Sequence, residues 1–325
     1  MSTLAKVMYY SHAAPDVYGI IRDAAGDDFE MVFLDNDDFD ERLKKVADVD
    51  VILATVVYLD EAHLAAAQDL KVIHHQGVGW QDTTPWQEIK KRDIPLAITT
   101  AGTTLGVAEH TVLLMLAAAK RLPHVDAELR KGIWHTNTYR GVSRELYGKT
   151  IGYIGMGRIA QAVAERLKGF GAPGIYYDPM FELPADQAAA LGLRAGSLED
   201  VLSSADFLSV HVPLTDGTRN LIDAGAIKQM KPDCIVVNTA RGGIIDEHAL
   251  AAALKAGDIL AAGIDVFETE PAKADNPLFG LNNVVVTPHI SAGTRDAMSA
   301  KMNALFDNLR GFFRDGTLEN RIDFP

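Results

Sequence analysis

Three side chains with complementary chemistry each follow a short apolar run in the second half of the chain. Arg241 follows "CIVVNTA", Glu268 and Glu270 follow "LAAGIDV", and His289 follows "NVVVTP". An arginine is a permanently charged fork that fits a planar carboxylate. A histidine changes protonation near neutral pH, and a nearby carboxylate favours its charged form. Together they can hold an anionic group, stabilise charge developing on an adjoining oxygen and pass a proton to it. Arg241 has no acidic neighbour before Asp246, and Gly242 and Gly243 beside it let the backbone come close to a ligand. Alone, each residue reads as an ordinary loop side chain. Three at the ends of strands of one parallel sheet, where open α/β folds bind ligands, read as a site.

Upstream, "TIGYIGMGRIA" sets Gly155, Gly157 and Ala160 in a G-x-G-x-x-A pattern between an apolar strand and a helix. The first glycine permits the sharp turn, the second lets a pyrophosphate approach the backbone, and the small third residue lets helix and strand pack. Free N–H groups at the helix start hold the anion. The next strand, "GIYYD", ends on Asp178 at about the 20-residue spacing of the dinucleotide fingerprint. A carboxylate there accepts from ribose hydroxyls and repels a 2′-phosphate, and "DPMFELP" has no arginine to accommodate one. NAD is expected in preference to NADP.

Those residues need a sheet to hold them. "AKVMYY", "EMVFLD", "DVILAT", "KVIHHQ" and "PLAIT" read as strands of a first unit, and "TIGYIG", "GIYYD", "DFLSVHV", "CIVVNTA", "LAAGIDV" and "NVVVTPH" as strands of a second. Helical stretches alternate with many of them, which predicts α/β architecture with parallel sheets. Residues 106–122 are apolar on most faces and predict a helix buried between two bodies. From Thr294, a helix with Met298, Met302, Leu305, Phe306, Leu309 and Phe313 on one face must pack on a core. A chain of 325 residues fits two domains. Its net charge of −13 argues against nucleic acid as a partner. The single cysteine, Cys234, lies in an apolar run and reads as a core residue. With no secretory pattern and no membrane-length apolar stretch, a cytoplasmic location is expected.

The motifs resemble the D-isomer-specific 2-hydroxyacid dehydrogenases. "GKTIGYIGMGRIA", "HVPLTDGTRNLI", "MKPDCIVVNTARGGIIDEHALAAALKAG", "GIDVFETEP" and "TPHI" match that family's pattern in order, as do "KVIHHQGVG" and "GVAEHTVLLML" in the first half. The resemblance implies two Rossmann-like, doubly wound parallel-sheet domains with a cleft between them. Residues 101–292 would bind NAD, and 1–100 with 293–325 would form the substrate domain. It implies Arg241 as substrate clamp, His289 as acid/base and Glu270 as its partner, chosen over Glu268 because the family's glutamate directly precedes the proline. It also implies cofactor contacts at Thr104, Gly155, Gly157, Arg158, Ile159, Asp178, His211, Pro213, Thr239 and Asp265. Gly77, Val78 and Gly79 would hold the substrate carboxylate. No metal is implied, and a homodimer is. The activity implied is NAD-dependent interconversion of a small 2-keto acid and a D-2-hydroxyacid, of the glyoxylate/hydroxypyruvate type or with an apolar short chain. The alternative is an NAD-sensing binding protein resembling the C-terminal-binding-protein corepressors.

The chain departs from the family pattern at Trp80 and Gln81, where aspartate and asparagine are usual, and at Thr103, where asparagine is common. "LATVVYLDEAH" lacks an arginine that would hold a phosphate, which disfavours phosphoglycerate, and Glu270 disfavours the formate branch. Tyr58 and Trp80 are candidate pocket walls, or plain core aromatics.

Overall fold

The computed structural model describes residues 4–81 and 83–324. The chain divides into two compact units, Met1–Thr103 with Thr294–Pro325, and Thr104–Gly293. In the first, β1 (Ala5–Tyr9), β2 (Phe29–Val32), β3 (Val51–Ala54), β4 (Val72–His75) and β5 (Leu96–Ile98) form a sheet in the order β2-β1-β3-β4-β5, every pairing parallel. β3 and β4 are buried at every position: β3 is an unbroken apolar run, whereas in β4 the buried His74 and His75 follow Val72 and Ile73. The helix Arg295–Asp315 covers one face, setting Met302, Leu305, Phe306 and Leu309 among Tyr9, Ile21, Phe29 and Leu53. Full burial of each such side chain contributes roughly 1.5–3 kcal/mol. Thr294 caps the helix by accepting from the Ala297 N–H at 3.0 Å.

In the second unit, β6 (Ile151–Ile154), β7 (Gly174–Tyr177), β8 (Leu193–Ala195), β9 (Phe207–Val210), β10 (Ile235–Asn238), β11 (Ala261–Ile264) and β12 (Val284–Val286) form a parallel sheet ordered β12-β11-β10-β9-β6-β7-β8. The winding reverses between β6 and β9, so the carboxyl end of β6 opens on the crevice where doubly wound sheets take ligands. β8 escapes the sequence reading because "LRA" centres on a charged arginine and offers no apolar run, whereas the equally short β12 is all valine.

The helix expected over 106–122 runs from Thr103 to Lys120. Arg121 then takes φ 51° and a second helix, Leu122–Arg130, begins with a proline in its first turn. The first of these helices is not buried all round. Ala108, Leu114, Met115 and Ala118 pack with Ile151, Tyr153 and Val237 in the second unit's own core, while Leu105 and Leu113 are exposed. Gly263 permits the close fit, since a Cβ there would stand 2.8 Å from the Leu114 Cβ. Beyond this helix, Leu122, Leu129, Ile133, Trp134 and Tyr147 leave much apolar surface open, Trp134 at 77% and Tyr147 at 79% exposure. Cys234 is buried, and burial pushes its thiol up to about 12. Among the described residues no helix is long and apolar enough to cross a membrane.

Candidate active site

Arg241, Glu270 and His289 follow the carboxyl ends of β10, β11 and β12, three adjacent strands. The His289 Nδ1–H donates to Glu270 Oε2 at 2.7 Å, which leaves the imidazole Nε2 for another partner. The second carboxylate oxygen, Oε1, accepts from the Phe267 N–H at 3.0 Å. Partial burial would raise the Glu270 carboxyl, but the hydrogen bonds from His289 and Phe267 and the nearby Arg241 charge outweigh it and hold it below the ordinary value. Glu268 is exposed, and it is Glu270 that meets His289. Asp246 is occupied elsewhere in the fold: its carboxylate caps the helix Glu247–Ala256 by accepting from the Ala249 N–H. The half-buried Arg241 is braced by its own turn, Nη1 donating to Ala240 O at 2.8 Å and its carbonyl accepting from Asn238 Nδ2 at 2.9 Å.

Asp265 is fully buried and builds the turn that presents His289. Its carboxylate accepts from Thr287 Oγ1 at 2.6 Å, Ile290 N–H at 2.9 Å and Ser291 N–H at 3.0 Å. Because the Thr287 hydroxyl proton goes to Asp265, His110 Nε2 donates to Thr287, at 3.0 Å. His289 itself takes φ 52°, a left-handed conformation that a non-glycine residue holds only where its surroundings fix it. His110, Thr287 and Ser291 are absent from the sequence reading. His110 and Thr287 lie 177 positions apart, and no local signal couples them.

At the carboxyl end of β6, Gly155 has φ 89°, and a Cβ on it would stand 2.8 Å from the His211 carbonyl oxygen. Gly157 precedes the helix Arg158–Lys168, and a Cβ there would meet nothing within 4 Å. Among the described residues the N–H groups of Gly157, Arg158 and Ile159 have no acceptor. Closed backbone on one side and open space with unmatched donors on the other fit a dinucleotide pyrophosphate. Asp178 lies on the next strand end, where Oδ2 accepts from Met156 N–H and Oδ1 from Met180 N–H, both at 2.9 Å, each oxygen keeping a lone pair for a sugar hydroxyl.

Thr104 lies half-buried in the first turn of its helix, and Pro213 is exposed after β9. Two of the expected cofactor residues turn their side chains inward instead. The His211 ring bonds Ser209 Oγ at 2.8 Å and stacks on Tyr153, and burial pushes its imidazole down to about 3. The Thr239 hydroxyl bonds Thr111 Oγ1 at 2.9 Å inside the core.

In the first unit, the Gly77 N–H is taken by His75 Nδ1 at 3.0 Å, whereas the N–H groups of Val78 and Gly79 have no acceptor among the described residues. Trp80 is core, at 8% exposure, edge-on to Trp86 and Phe324. Tyr58 stays exposed, as does Gln81. The Thr103 hydroxyl is buried without a partner among the described residues. Among the described residues no group of three or more His, Cys, Asp or Glu is placed to hold a metal.

Comparison with known proteins agrees with this geometry. Residues 112–291 match the family described as D-isomer specific 2-hydroxyacid dehydrogenase, NAD binding domain. The chain is 41% identical over 288 residues to D-3-phosphoglycerate dehydrogenase of Mycobacterium tuberculosis, covering 88% of this chain and 53% of that protein. It thus spans about half the length of that relative. It is 37% identical over 286 residues to glyoxylate reductase of Korarchaeum cryptofilum, covering 86% of this chain and 85% of that one. The crystal structure of Aquifex aeolicus D-lactate dehydrogenase, complexed with NAD and lactic acid, superposes with a TM-score of 0.83 at 26% identity, covering 98% of this chain and 99% of that one. A glycine turn at the winding reversal, side chains of complementary chemistry on neighbouring strand ends and these matches over most of the length agree: the chain belongs to the D-isomer-specific 2-hydroxyacid dehydrogenase family, its NAD-binding domain in the second unit.

Proposed function

We propose that the protein is an NAD-dependent D-2-hydroxyacid dehydrogenase that reduces a short, unphosphorylated 2-keto acid, such as glyoxylate, hydroxypyruvate or a small apolar homologue. The carrying observation is the 2.7 Å bond between Glu270 and His289 on the sheet edge that also presents Arg241. Bound NADH supplies the hydride. Arg241 grips the carboxylate and the neighbouring carbonyl oxygen through its fork. His289 offers Nε2 to that oxygen and delivers a proton as negative charge develops there, and Glu270 balances the imidazolium. In the reverse direction the neutral Nε2 takes the hydroxyl proton.

The first unit is assigned to the substrate and the second to the cofactor. The Val78 and Gly79 N–H groups are assigned to the carboxylate. Thr104, the turn from Gly155 to Ile159, Asp178, Pro213 and Asp265 are assigned to NAD. Of His211 and Thr239, only the backbone is assigned. The absence of Lys and Arg from residues 53–63 and 76–81 supports an unphosphorylated substrate. So do Val56, Tyr58 and Val78, exposed at 69%, 49% and 40% after β3 and β4. A free, buried Cys234 fits a reducing cytoplasm.

The test follows NADH and NADPH oxidation with glyoxylate, hydroxypyruvate, pyruvate, 2-ketoisocaproate and 3-phosphohydroxypyruvate. Turnover with the phosphorylated compound alone overturns the substrate class, and equal use of the two coenzymes overturns the role of Asp178. No turnover at all returns the NAD-sensing binding role. A homodimer is also proposed, a second copy covering the apolar surface from Leu122 to Tyr147. Sedimentation equilibrium should give a dimer at micromolar concentration, and a monomer would sink that part.

A further inference from the structure

Glu247 is a buried carboxylate that neither the hydride-transfer scheme nor the cofactor site uses. It begins the helix Glu247–Ala256, beside the Asp246 cap, where the helix N-terminus favours negative charge. Both its oxygens are engaged: Oε1 accepts from the Glu268 N–H and Oε2 from Asn276 Nδ2, each at 2.6 Å. A carboxylate is costly to bury, and such short, charge-assisted bonds offset that cost only in a fixed geometry.

The bond to Glu268 holds the turn that carries Glu270. One residue earlier, the Phe267 N–H donates to Glu270 Oε1, and Glu270 Oε2 meets His289. The same turn is pressed against the one that carries Arg241. A Cβ built on Gly242 would stand 1.8 Å from Phe267 O and 2.5 Å from the Glu268 nitrogen, so the two backbones are in direct contact. Behind them lies a cavity of only about 10 Å³, lined by Asn238, Gly242, Gly243 and Glu247 among others, with room for about one water. The turn therefore has little space to relax inward.

We infer that Glu247 is a positioning residue: by clamping the Glu268 amide against the Gly242 backbone, it sets Glu270 opposite His289 and Arg241 in register with both. The inference rests on the proposed function for its consequence but not for its geometry. The charged and titratable groups around His289 are Glu270 at its Nδ1, Asp265 under its turn, His110 behind Thr287, and Arg241 beside Glu270.

The test is Glu247→Gln, which keeps size but can accept from only one of the two donors. Its first readout needs no turnover. The pH dependence of His289 modification by diethyl pyrocarbonate is followed by mass spectrometry in NADH-loaded enzyme, alongside Glu270→Gln. The midpoint should move to lower pH by about 0.5 in Glu247→Gln, in the same direction as Glu270→Gln, because a displaced carboxylate stabilises the imidazolium less. The double variant should move no further than Glu270→Gln alone. With a 2-keto acid that is turned over, kcat should fall roughly tenfold while the KM for NADH is kept. Should the glutamine variant not fold, Glu247→Asp, too short to reach both donors, carries the same expectation. A folded variant with the His289 midpoint unmoved overturns the inference, since a purely structural role would lower stability and leave that midpoint alone. A moved midpoint in a protein that reduces no keto acid upholds the positioning and sinks the proposed reaction instead.

Discussion

Lysine carries the charge of Arg241 but not its planar fork, so Arg241→Lys separates charge from geometry. Catalytic efficiency should fall more than tenfold, about 1.4 kcal/mol or more of transition-state stabilisation, with NADH affinity nearly unchanged. Steady-state kinetics with NADH titration checks it, and near-normal reduction by the lysine variant would remove Arg241 from the role of clamp. Glu270→Gln tests the proton path. Glu270 is held below the ordinary carboxyl value and is ionised through the neutral range, so the substitution removes a negative charge 2.7 Å from His289 Nδ1. Reduction requires the protonated imidazole, which loses its stabilising partner. The alkaline limb of kcat/KM for reduction should therefore move to lower pH, by on the order of one unit, and the acidic limb for oxidation should move the same way. Profiles that stay in place would mean that Glu270 does not tune His289.

The turn after β6 depends on having no side chain. Gly155→Ala must accommodate a Cβ 2.8 Å from the His211 carbonyl oxygen at φ 89°. The variant should lose roughly 1–3 kcal/mol of stability and most of its NADH binding. Chemical denaturation and fluorescence titration measure the two, and an alanine variant that binds NADH normally would contradict the cradle. This turn was legible in the sequence because its requirement is local: a glycine pattern, a strand before and a helix after. Every strand but β8 was legible for the same kind of local reason, adjoining apolar residues, which β8 lacks with Arg194 at its centre. Choosing Glu270 over Glu268 rested on its place before Pro271, and the contact with His289 falls on that residue. What the sequence did not carry was direction. The His211 ring and Thr239 hydroxyl turn into the core because Ser209 and Thr111 meet them there. Trp80 is core because Trp86 and Phe324 pack on it, and Phe324 lies near the other end of the chain.

Two histidines whose imidazoles are held well below the ordinary value by desolvation, one in each unit, bear on the stability of the whole molecule. Burial pushes His211 down to about 3 and His74 to about 4. An unfolded histidine titrates near 6.5, so below that pH the unfolded chain takes up protons that the native protein refuses. This contribution is fully present above about pH 6.5 and should decline by on the order of 3 kcal/mol per histidine on acidification toward pH 4. Urea midpoints between about pH 7.5 and 4.5 test it, and a flat profile would refute it. The division of the chain also has a temporal side. The first unit's sheet comes from residues made early, but the helix that supplies Met302, Leu305, Phe306 and Leu309 to its core follows Gly293. During synthesis the entire second unit, Thr104–Gly293, must emerge between the two, a delay on the order of 10 s or more. The NAD-binding unit can therefore finish folding first, while β1 to β5 wait with one face only partly covered, by the helix Pro15–Ala25, until the helix Arg295–Asp315 has left the ribosome.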